Sequence, residues 1–196
     1  MSNEIAKASD AVCGGLIAGT KYTETAKATG RFLMECFDKD GNLKWSAEES
    51  NLVVNVGLQY MAGTALTSTA QITSWFIGLY GAGASNTPSA GDTMSSHGTA
   101  GAGGWTEVTP YSGTRPAATF AAATNANPSV VTNTASPASF AITSTQTVGG
   151  AFLVSNSTAG GSTGTLFSAA DFQSPGDRSV VSGDTLNVTY TFSLAG

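Results

Sequence analysis

The sequence predicts a mainly β protein: an antiparallel β-sandwich or jelly-roll-like body with one short helix and an extended N-terminal arm. After residue 70, short apolar and β-branched segments recur roughly every ten residues, separated by clusters of Gly, Pro, Asn and Ser. The last segment, residues 185–194, alternates between apolar and polar side chains, as a half-buried strand does. Residues 52–65 show an approximate helical spacing instead.

Residues 1–29 form the predicted arm and residues 30–196 the β-rich body. The arm is polar and interrupted by glycines, so by itself it buries too little apolar surface to offset the entropy of ordering. Its apolar residues are Ile5, Val12, Leu16 and Ile17, and we expect these side chains to contact a partner. A neighbouring subunit is the simplest such partner.

The body begins with a predicted β-hairpin over residues 31–46, because two short apolar segments flank an Asp-Gly turn. Glu48 and Glu49 precede residues 52–65 and favour the start of a helix there. One further helical turn is predicted from Asp92 to His97, with Asp92 as its N-cap. Further strands are predicted at residues 74–80, 119–124, 129–133, 139–144, 148–155, 164–169, 178–181 and 185–194.

The chain carries few charges, and they are unevenly distributed. Charged residues make up 11% of the sequence, whereas about 25% is usual. Residues 1–50 contain 14 charged side chains, and the other 146 residues contain only 7. Eight Lys and Arg residues with a net charge of −5 argue against nucleic acid as a partner, since phosphate binding needs clustered cations. A surface this poor in charge is suited to being covered by another molecule.

The cysteine content favours a reducing compartment, and the distribution of apolar residues argues against a signal peptide and a membrane span. Cys13 and Cys36 are too few for a disulfide scaffold, and free thiols are expected. The first ten residues contain two acids and one lysine and no apolar core, so no signal peptide is expected. The apolar runs are far shorter than the roughly 18 residues that span a bilayer, so no membrane partner is expected.

No catalytic, cofactor or metal site is predicted. His97 follows Ser95 and Ser96 in a small-residue loop, without the pattern of a nucleophile elbow. Asp38, Asp40, Asn42 and Glu49 fall at calcium-loop positions 1, 3, 5 and 12, but Leu43 occupies the position that requires glycine. A hairpin turn explains that segment without a metal. Cys13, Cys36 and His97 lack the spacing of zinc ligands.

The three tryptophans, Trp45, Trp75 and Trp105, each lie in or beside a predicted strand. Packing in a core or an interface is the ordinary role for such residues. A flat aromatic surface that stacks against a sugar is the alternative.

A series of motifs between residues 30 and 194 resembles the small structural proteins of tailed bacteriophages. The motifs are GRF at 30–32, ECFDKDGNLKW at 35–45, NLVVN at 51–55, WFIGL at 75–79, GDTM at 91–94, GWTE at 104–107, ASPASF at 135–140, GAFL at 150–153, SGDTL at 182–186 and VTY at 188–190. The resemblance implies a virion protein without enzymatic activity that is made in the host cytoplasm. Its implied role is decoration, or cementing, of the capsid.

That resemblance implies a specific set of partners. The protein would bind the outside of the major capsid protein lattice, associate with itself as a trimer, and stabilise the head against the pressure of packaged DNA. Two alternatives belong to other classes: a tail, collar or baseplate subunit, and a surface module that binds host glycans through Trp75 or Trp105.

Overall fold

Two antiparallel β-sheets lie face to face in the computed structural model, which describes residues 26–82, 87–96, 106–173 and 176–196. The predicted mainly β sandwich with one helix is therefore confirmed. The elements are β1 (Lys27–Phe37), β2 (Leu43–Ser50), β3 (Leu52–Val53), α1 (Asn55–Leu66), β4 (Phe76–Gly81), β5 (Glu107–Val108), β6 (Ser129–Thr132), β7 (Ala138–Ala141), β8 (Gln146–Val154), β9 (Leu166–Asp171), β10 (Arg178–Val180) and β11 (Thr185–Ala195). No helix in the described residues is long and apolar enough to cross a membrane.

The first sheet, sheet A, is built around β11. Strand β1 pairs with β11 over its whole length, and β2 lies outside β1. On the other side of β11, β6 and β7 follow one another along the same edge. The alternation predicted for residues 185–194 is confirmed in the first part of the strand, where Leu186, Val188 and Tyr190 are buried in the core. It is lost farther on, since Thr189 is also buried and Leu194 is 43% exposed.

Asn133 fills the gap between β6 and β7. Its backbone N–H donates to the Tyr190 carbonyl at 3.3 Å, and its side-chain Oδ1 accepts from the Tyr190 N–H at 2.6 Å. Its Nδ2 donates to the Val188 carbonyl at 3.2 Å. A fully buried side chain thus replaces the missing backbone partners of β11, which would be costly to leave unbonded.

The second sheet, sheet B, is arranged around the central strand β8, as sheet A is around β11. Strands β4 and β5 lie on one side of β8, and β9 and β10 follow one another along the other side, with β3 outside β9. The predicted buried strand at residues 74–80 is β4, in which Ile77, Leu79 and Tyr80 are inaccessible to solvent. Sheets A and B enclose the main core between them.

The outer face of sheet B is covered as well. Val54, Met94, Tyr80, Phe152 and Leu166 form a second buried cluster between this face and the segments around residues 54–57 and 87–96. Helix α1 approaches β9 closely because Gly57 has no side chain: a Cβ there would lie 2.3 Å from the Phe167 carbonyl oxygen. The same oxygen accepts a hydrogen bond from the Val54 N–H at 3.1 Å.

The chain passes from sheet A to sheet B at a single residue, Asn51, between β2 and β3. The Asn51 N–H donates to the Gly30 carbonyl at 3.0 Å, and Asn51 Nδ2 donates to the Tyr190 hydroxyl at 2.8 Å. Ser168 of β9 donates to the same hydroxyl at 3.1 Å. The Tyr190 side chain therefore extends from sheet A to groups that belong to sheet B and to the crossing.

A buried ion pair holds strand β5 and two loops together beside sheet B. Arg115 makes two bonds to the Glu107 carboxylate, at 2.8 and 2.6 Å, and donates to the carbonyls of Asn156 and Gly161, each at 2.8 Å. Its guanidinium also lies 5.3 Å from the ring centre of Phe152. Both charged side chains are almost completely removed from solvent.

The predicted hairpin and helix are confirmed, with shifted boundaries. Strand β1 starts at Lys27, so the last three residues assigned to the arm belong to sheet A. Helix α1 starts at Asn55, and its first turn contains no acid, because Glu48 and Glu49 continue strand β2. The expectation that these acids begin the helix is wrong.

The strand predicted at residues 119–124 does not form. This segment makes two backbone hydrogen bonds to β6, from Ala121 to Thr132 and from Thr124 to Val130. Three consecutive alanines give it little of the β-branched character that favours a ladder. The other predicted strands are found within a few residues of their expected positions.

We predict that Arg115→Met destabilises the protein by about 3–5 kcal/mol, because it leaves the Glu107 carboxylate buried without its partner. The measurement is the free energy of unfolding in urea. Arg31→Met is the matched control, since the Arg31–Glu48 pair is exposed, with side chains 61% and 48% accessible; its loss costs about 1 kcal/mol or less. Equal losses in the two variants would contradict the structural role of the buried pair.

We also predict that Gly30→Ala costs about 1–3 kcal/mol of stability. A Cβ at Gly30 would lie 2.7 Å from Asn51 Oδ1 and 2.8 Å from the Tyr190 hydroxyl, so these bonded groups must separate. Gly91→Ala is the control, because a Cβ there meets no atom within 4 Å. Thermal unfolding compares the two, and a Gly30 variant as stable as the Gly91 variant would refute the role of Asn51.

Candidate functional site

An aromatic pocket opens between the two sheets and is the candidate binding site of the body. Its volume is about 140 Å³. An apolar cavity of roughly 150 Å³ holds a group of benzene size, so this one accepts a single large side chain or a ring. We call it the aromatic pocket; its lining residues are Tyr60, Trp75, Phe120, Val131, Leu153, Phe167, Tyr190 and Phe192.

Four separate parts of the chain bring these rings together. Trp75 stands between Tyr60 of α1 and Phe167 of β9, with ring centres 5.5 and 5.4 Å away, both nearly edge to face. Phe167 in turn contacts Phe192 of β11 at 5.5 Å. Edge-to-face pairs at these distances are favourable and fix ring orientation, so the pocket wall is preformed. Because Tyr60, Trp75 and Phe192 are only partly buried, the pocket is open to solvent.

The two hydroxyl groups in the pocket wall are already engaged. The Tyr60 hydroxyl accepts a hydrogen bond from the Ile72 N–H at 2.7 Å. The Tyr190 hydroxyl accepts from Asn51 and Ser168, and burial raises the pKa of Tyr190 above its usual range. No lining residue is charged. The surface of the pocket therefore consists mainly of carbon atoms, and it favours the binding of an aliphatic or aromatic group.

The tryptophans differ in the groups that surround them, and these groups determine whether a sugar could bind. Trp75 lies in the aromatic pocket, whose hydroxyls are occupied. Trp45 packs edge to face against Phe172 at 5.9 Å, and its Nε1 donates to the Ser179 carbonyl at 3.1 Å. Sugar sites combine a ring with polar groups that can bond to the hydroxyls. Trp75 has polar side chains beside it, because it also lines a second cavity with Thr64, Thr69 and Gln71, so sugar binding at Trp75 stays a prediction. Trp105 lies outside the described residues.

The acidic turn at residues 38–42 stabilises the hairpin. Asp38 Oδ1 accepts from the N–H groups of Asp40 and Asn42, each at 2.9 Å, and Asp38 Oδ2 accepts from Asn42 Nδ2 at 3.1 Å. These bonds lower the pKa of Asp38, and the bond from the Asn42 N–H has the largest effect. Glu49 instead accepts from the Gln173 N–H at 3.2 Å. No group of three or more His, Cys, Asp or Glu side chains suited to a metal occurs in the part of the chain that the structure describes.

Asp92 does not cap a following helix, contrary to the prediction. Its Oδ2 accepts from the N–H of Ser89, three residues earlier, at 2.7 Å. The turn at residues 94–96 is instead held by Thr93 and Ser96, whose side chains and backbone bond to each other. Asp92 is thus committed to the preceding turn. His97 lies outside the described residues.

The arm residues Ile5, Val12, Leu16 and Ile17 also lie outside the described residues, as does Cys13. The structure therefore does not test their predicted role. It does fix where the arm leaves the body: β1 starts at Lys27, opposite Ala195, at one end of sheet A.

A buried acid and a buried thiol meet the partly exposed amine of Lys44 where β1, β2 and β11 come together. The Asp184 carboxylate is bonded to Lys44 Nζ at 2.5 Å and accepts from the Val181 N–H at 2.9 Å and the Cys36 thiol at 3.6 Å. Burial opposes ionisation of Asp184, but these bonds outweigh it and lower its pKa. Burial and the nearby Asp184 charge raise the pKa of Cys36 to about 12, so the thiol stays protonated at neutral pH.

We predict that Asp184 contributes acid-sensitive stability. In the folded protein the pKa of Asp184 lies below its ordinary value of 3.8. The contribution of Asp184 to the free energy of unfolding is therefore complete above pH 3.8 and is lost as the pH falls through the folded pKa. The wild type should therefore exceed Asp184→Asn in free energy of unfolding by a constant margin near neutral pH, and this margin should shrink below about pH 4. Asp40→Asn is the control at neutral pH, since Asp40 is exposed. A margin independent of pH down to about pH 2 would contradict the assignment.

Comparisons of the chain with protein-family models, with curated proteins and with solved structures give no match.

Proposed function

We propose that the chain is a decoration, or cement, protein of a tailed-bacteriophage head. In this role it binds the outside of the major capsid protein lattice as a trimer and holds neighbouring capsid subunits together against the pressure of packaged DNA. It acts mechanically and has no enzymatic activity. Two observations support this proposal. The motifs resemble those of phage structural proteins, and the distribution of charge on the folded surface favours contact with other subunits.

The observation that carries the proposal is an exposed surface almost without charge. Residues 51–196 contain seven charged residues, and the side chains of four of them are buried: Asp92, Glu107, Arg115 and Asp184. Only Asp177 of the other three falls among the fully exposed residues. We call the uncharged exposed part of residues 51–196 the neutral surface. Such a surface does little to repel neighbours, and burying it in a contact desolvates few charges.

The exposed charges are concentrated on the hairpin of β1 and β2, which we call the charged hairpin. Lys27, Arg31, Lys39, Lys44 and Glu48 are all exposed there. A subunit with one charged edge and an otherwise neutral surface has a preferred orientation in an assembly. We propose that the neutral surface faces other subunits and that the charged hairpin remains in solvent.

The interior suits a mechanical joint. The buried Arg115–Glu107 pair fixes strand β5 and two loops, and the Tyr190 hydroxyl connects both sheets. Load on the surface is therefore transmitted to the core through bonds that are shielded from water. The arm, through Ile5, Val12, Leu16 and Ile17, adds contact with a neighbouring subunit and raises effective concentration through its tether. A stable joint of this kind buries more than about 1,000 Å².

Placement within the virion separates this proposal from a tail, collar or baseplate role. The same neutral surface would serve any of these rings. Density for the chain at three-fold positions of the shell in a cryo-electron-microscopy map of the virion would support the cement role. Density only in the tail or collar would overturn it.

We predict that a charge on the neutral surface prevents binding to heads. Ser139, on the exposed face of β7, and Ser46, on the exposed face of β2, are both accessible serines in edge strands of sheet A. Ser139→Lys should weaken binding to heads that lack the protein by about tenfold or more, because an unpaired charge is desolvated. Ser46→Lys should bind as the wild type does.

Binding is measured by co-sedimentation of the purified full-length chain with heads, and reinforcement by the temperature at which the heads release DNA. Equal binding by both lysine variants would refute the proposed orientation. Failure of the wild type to bind heads at all would refute the cement role.

A further inference from the structure

We propose that the aromatic pocket is the docking site of the N-terminal arm, and that one branched side chain of the adjacent pair Leu16 and Ile17 enters it. This deepens one part of the proposed function, the place where the arm binds. It concerns contacts made by this chain alone, so it can be tested without any capsid. A second copy of the chain can supply the arm as well as the same copy.

The chemistry of the pocket selects an apolar occupant. Its wall consists of six aromatic side chains together with Val131 and Leu153, and its two hydroxyls already accept hydrogen bonds. A polar or charged group entering it would lose its bonds to water without replacement. An aliphatic side chain instead gains contact with several rings at once. The volume, about 140 Å³, suits one branched aliphatic group.

The sequence of the arm offers one strong candidate for that group. Leu16 and Ile17 are the only two large aliphatic residues adjacent to each other in residues 1–26. Glycines at 14, 15 and 19 surround them, which allows the backbone to approach a wall closely. Ile5 stands alone among polar residues and is much farther from the body along the chain.

The geometry of the body makes the pocket reachable. Phe192, in the pocket wall, is paired with Gly30 of β1, three residues from Lys27, where the strand begins. Three residues of strand span about 10 Å, so the arm leaves the body close to the pocket. Ten residues separate Ile17 from Lys27, and an extended chain of that length reaches about 33 Å. Leu16 and Ile17 can thus reach the pocket of their own copy or of an adjacent one.

The test is site-specific photo-crosslinking in the purified full-length chain. A diazirine-bearing aliphatic amino acid replaces Ile17, and the crosslinked peptides are identified by mass spectrometry. Crosslinks to the peptides that contain Trp75, Phe120 or Val131 are expected. The same amino acid in place of Ile5 is the control and should give at least about fivefold fewer crosslinks to these peptides, because Ile5 lacks the adjacent apolar partner. Crosslinks from position 17 that avoid the pocket peptides would overturn the proposal.

A second measurement uses the fluorescence of an apolar dye instead of crosslinking from the arm. Leu16→Ser combined with Ile17→Ser should free the pocket and raise the fluorescence of a neutral, environment-sensitive apolar dye by about threefold or more, since such dyes bind exposed apolar surface. Phe120→Ala, a change in a loop outside the sheets, should enlarge the pocket and lower crosslinking from position 17. Unchanged dye fluorescence together with unchanged crosslinking would refute arm docking.

Mixing copies with normal and heavy isotopes determines which copy supplies the arm. Crosslinks between light and heavy peptides show an arm from a second copy, whereas crosslinks found only within one mass class, after the copies have exchanged partners, show an arm from the same copy. Either result supports docking in the pocket. Because no capsid is present, a negative crosslinking result counts against this inference and leaves the test of head binding unaffected.

Discussion

The hydroxyl of Tyr190 is the point at which the two sheets are joined. Its strand, β11, is the centre of sheet A, while the two groups that donate to the hydroxyl lie on β9 and at the crossing from β2 to β3. The arrangement needs Gly30, because any side chain there would occupy the space of these bonds. It also needs Asn133, which bonds to the backbone of Tyr190 from the gap between β6 and β7. Three separate segments therefore depend on one buried hydroxyl oxygen, and a fourth holds the backbone of the same residue.

The same residue connects the core to the surface. The ring of Tyr190 packs against Phe32 at 4.6 Å inside the sandwich and against Phe120 at 6.1 Å at the pocket. Fixing the hydroxyl thus also fixes one wall of the aromatic pocket. A preformed pocket does not have to order its own walls when an occupant enters, so more of the contact energy is available for binding. The buried Arg115–Glu107 pair holds the neighbouring loops in a similar way.

Much of the sandwich could be predicted from local sequence, whereas the site could not. The alternation in β11 and the Asp-Gly turn between β1 and β2 are local patterns, and both identify their elements correctly. The helix boundary was less accurate, because Glu48 and Glu49 fit a helix start as well as an edge strand. The pocket combines Tyr60, Trp75 and Phe192, which lie far apart in sequence, and only the pairing of strands reveals that they meet. Likewise, nothing local to Arg115 indicates that Glu107 will be its buried partner.

The pairing of β1 also determines how the body would respond to a pull on its N-terminus. Strand β1 lies between β11, with which eleven residues are in register, and β2, with which seven are. Hydrogen bonds in an antiparallel ladder run perpendicular to the strands. Tension applied at Lys27 along the strand axis would load both ladders in shear, so that many bonds must break together. A tether attached at this strand end is therefore held by both ladders at once.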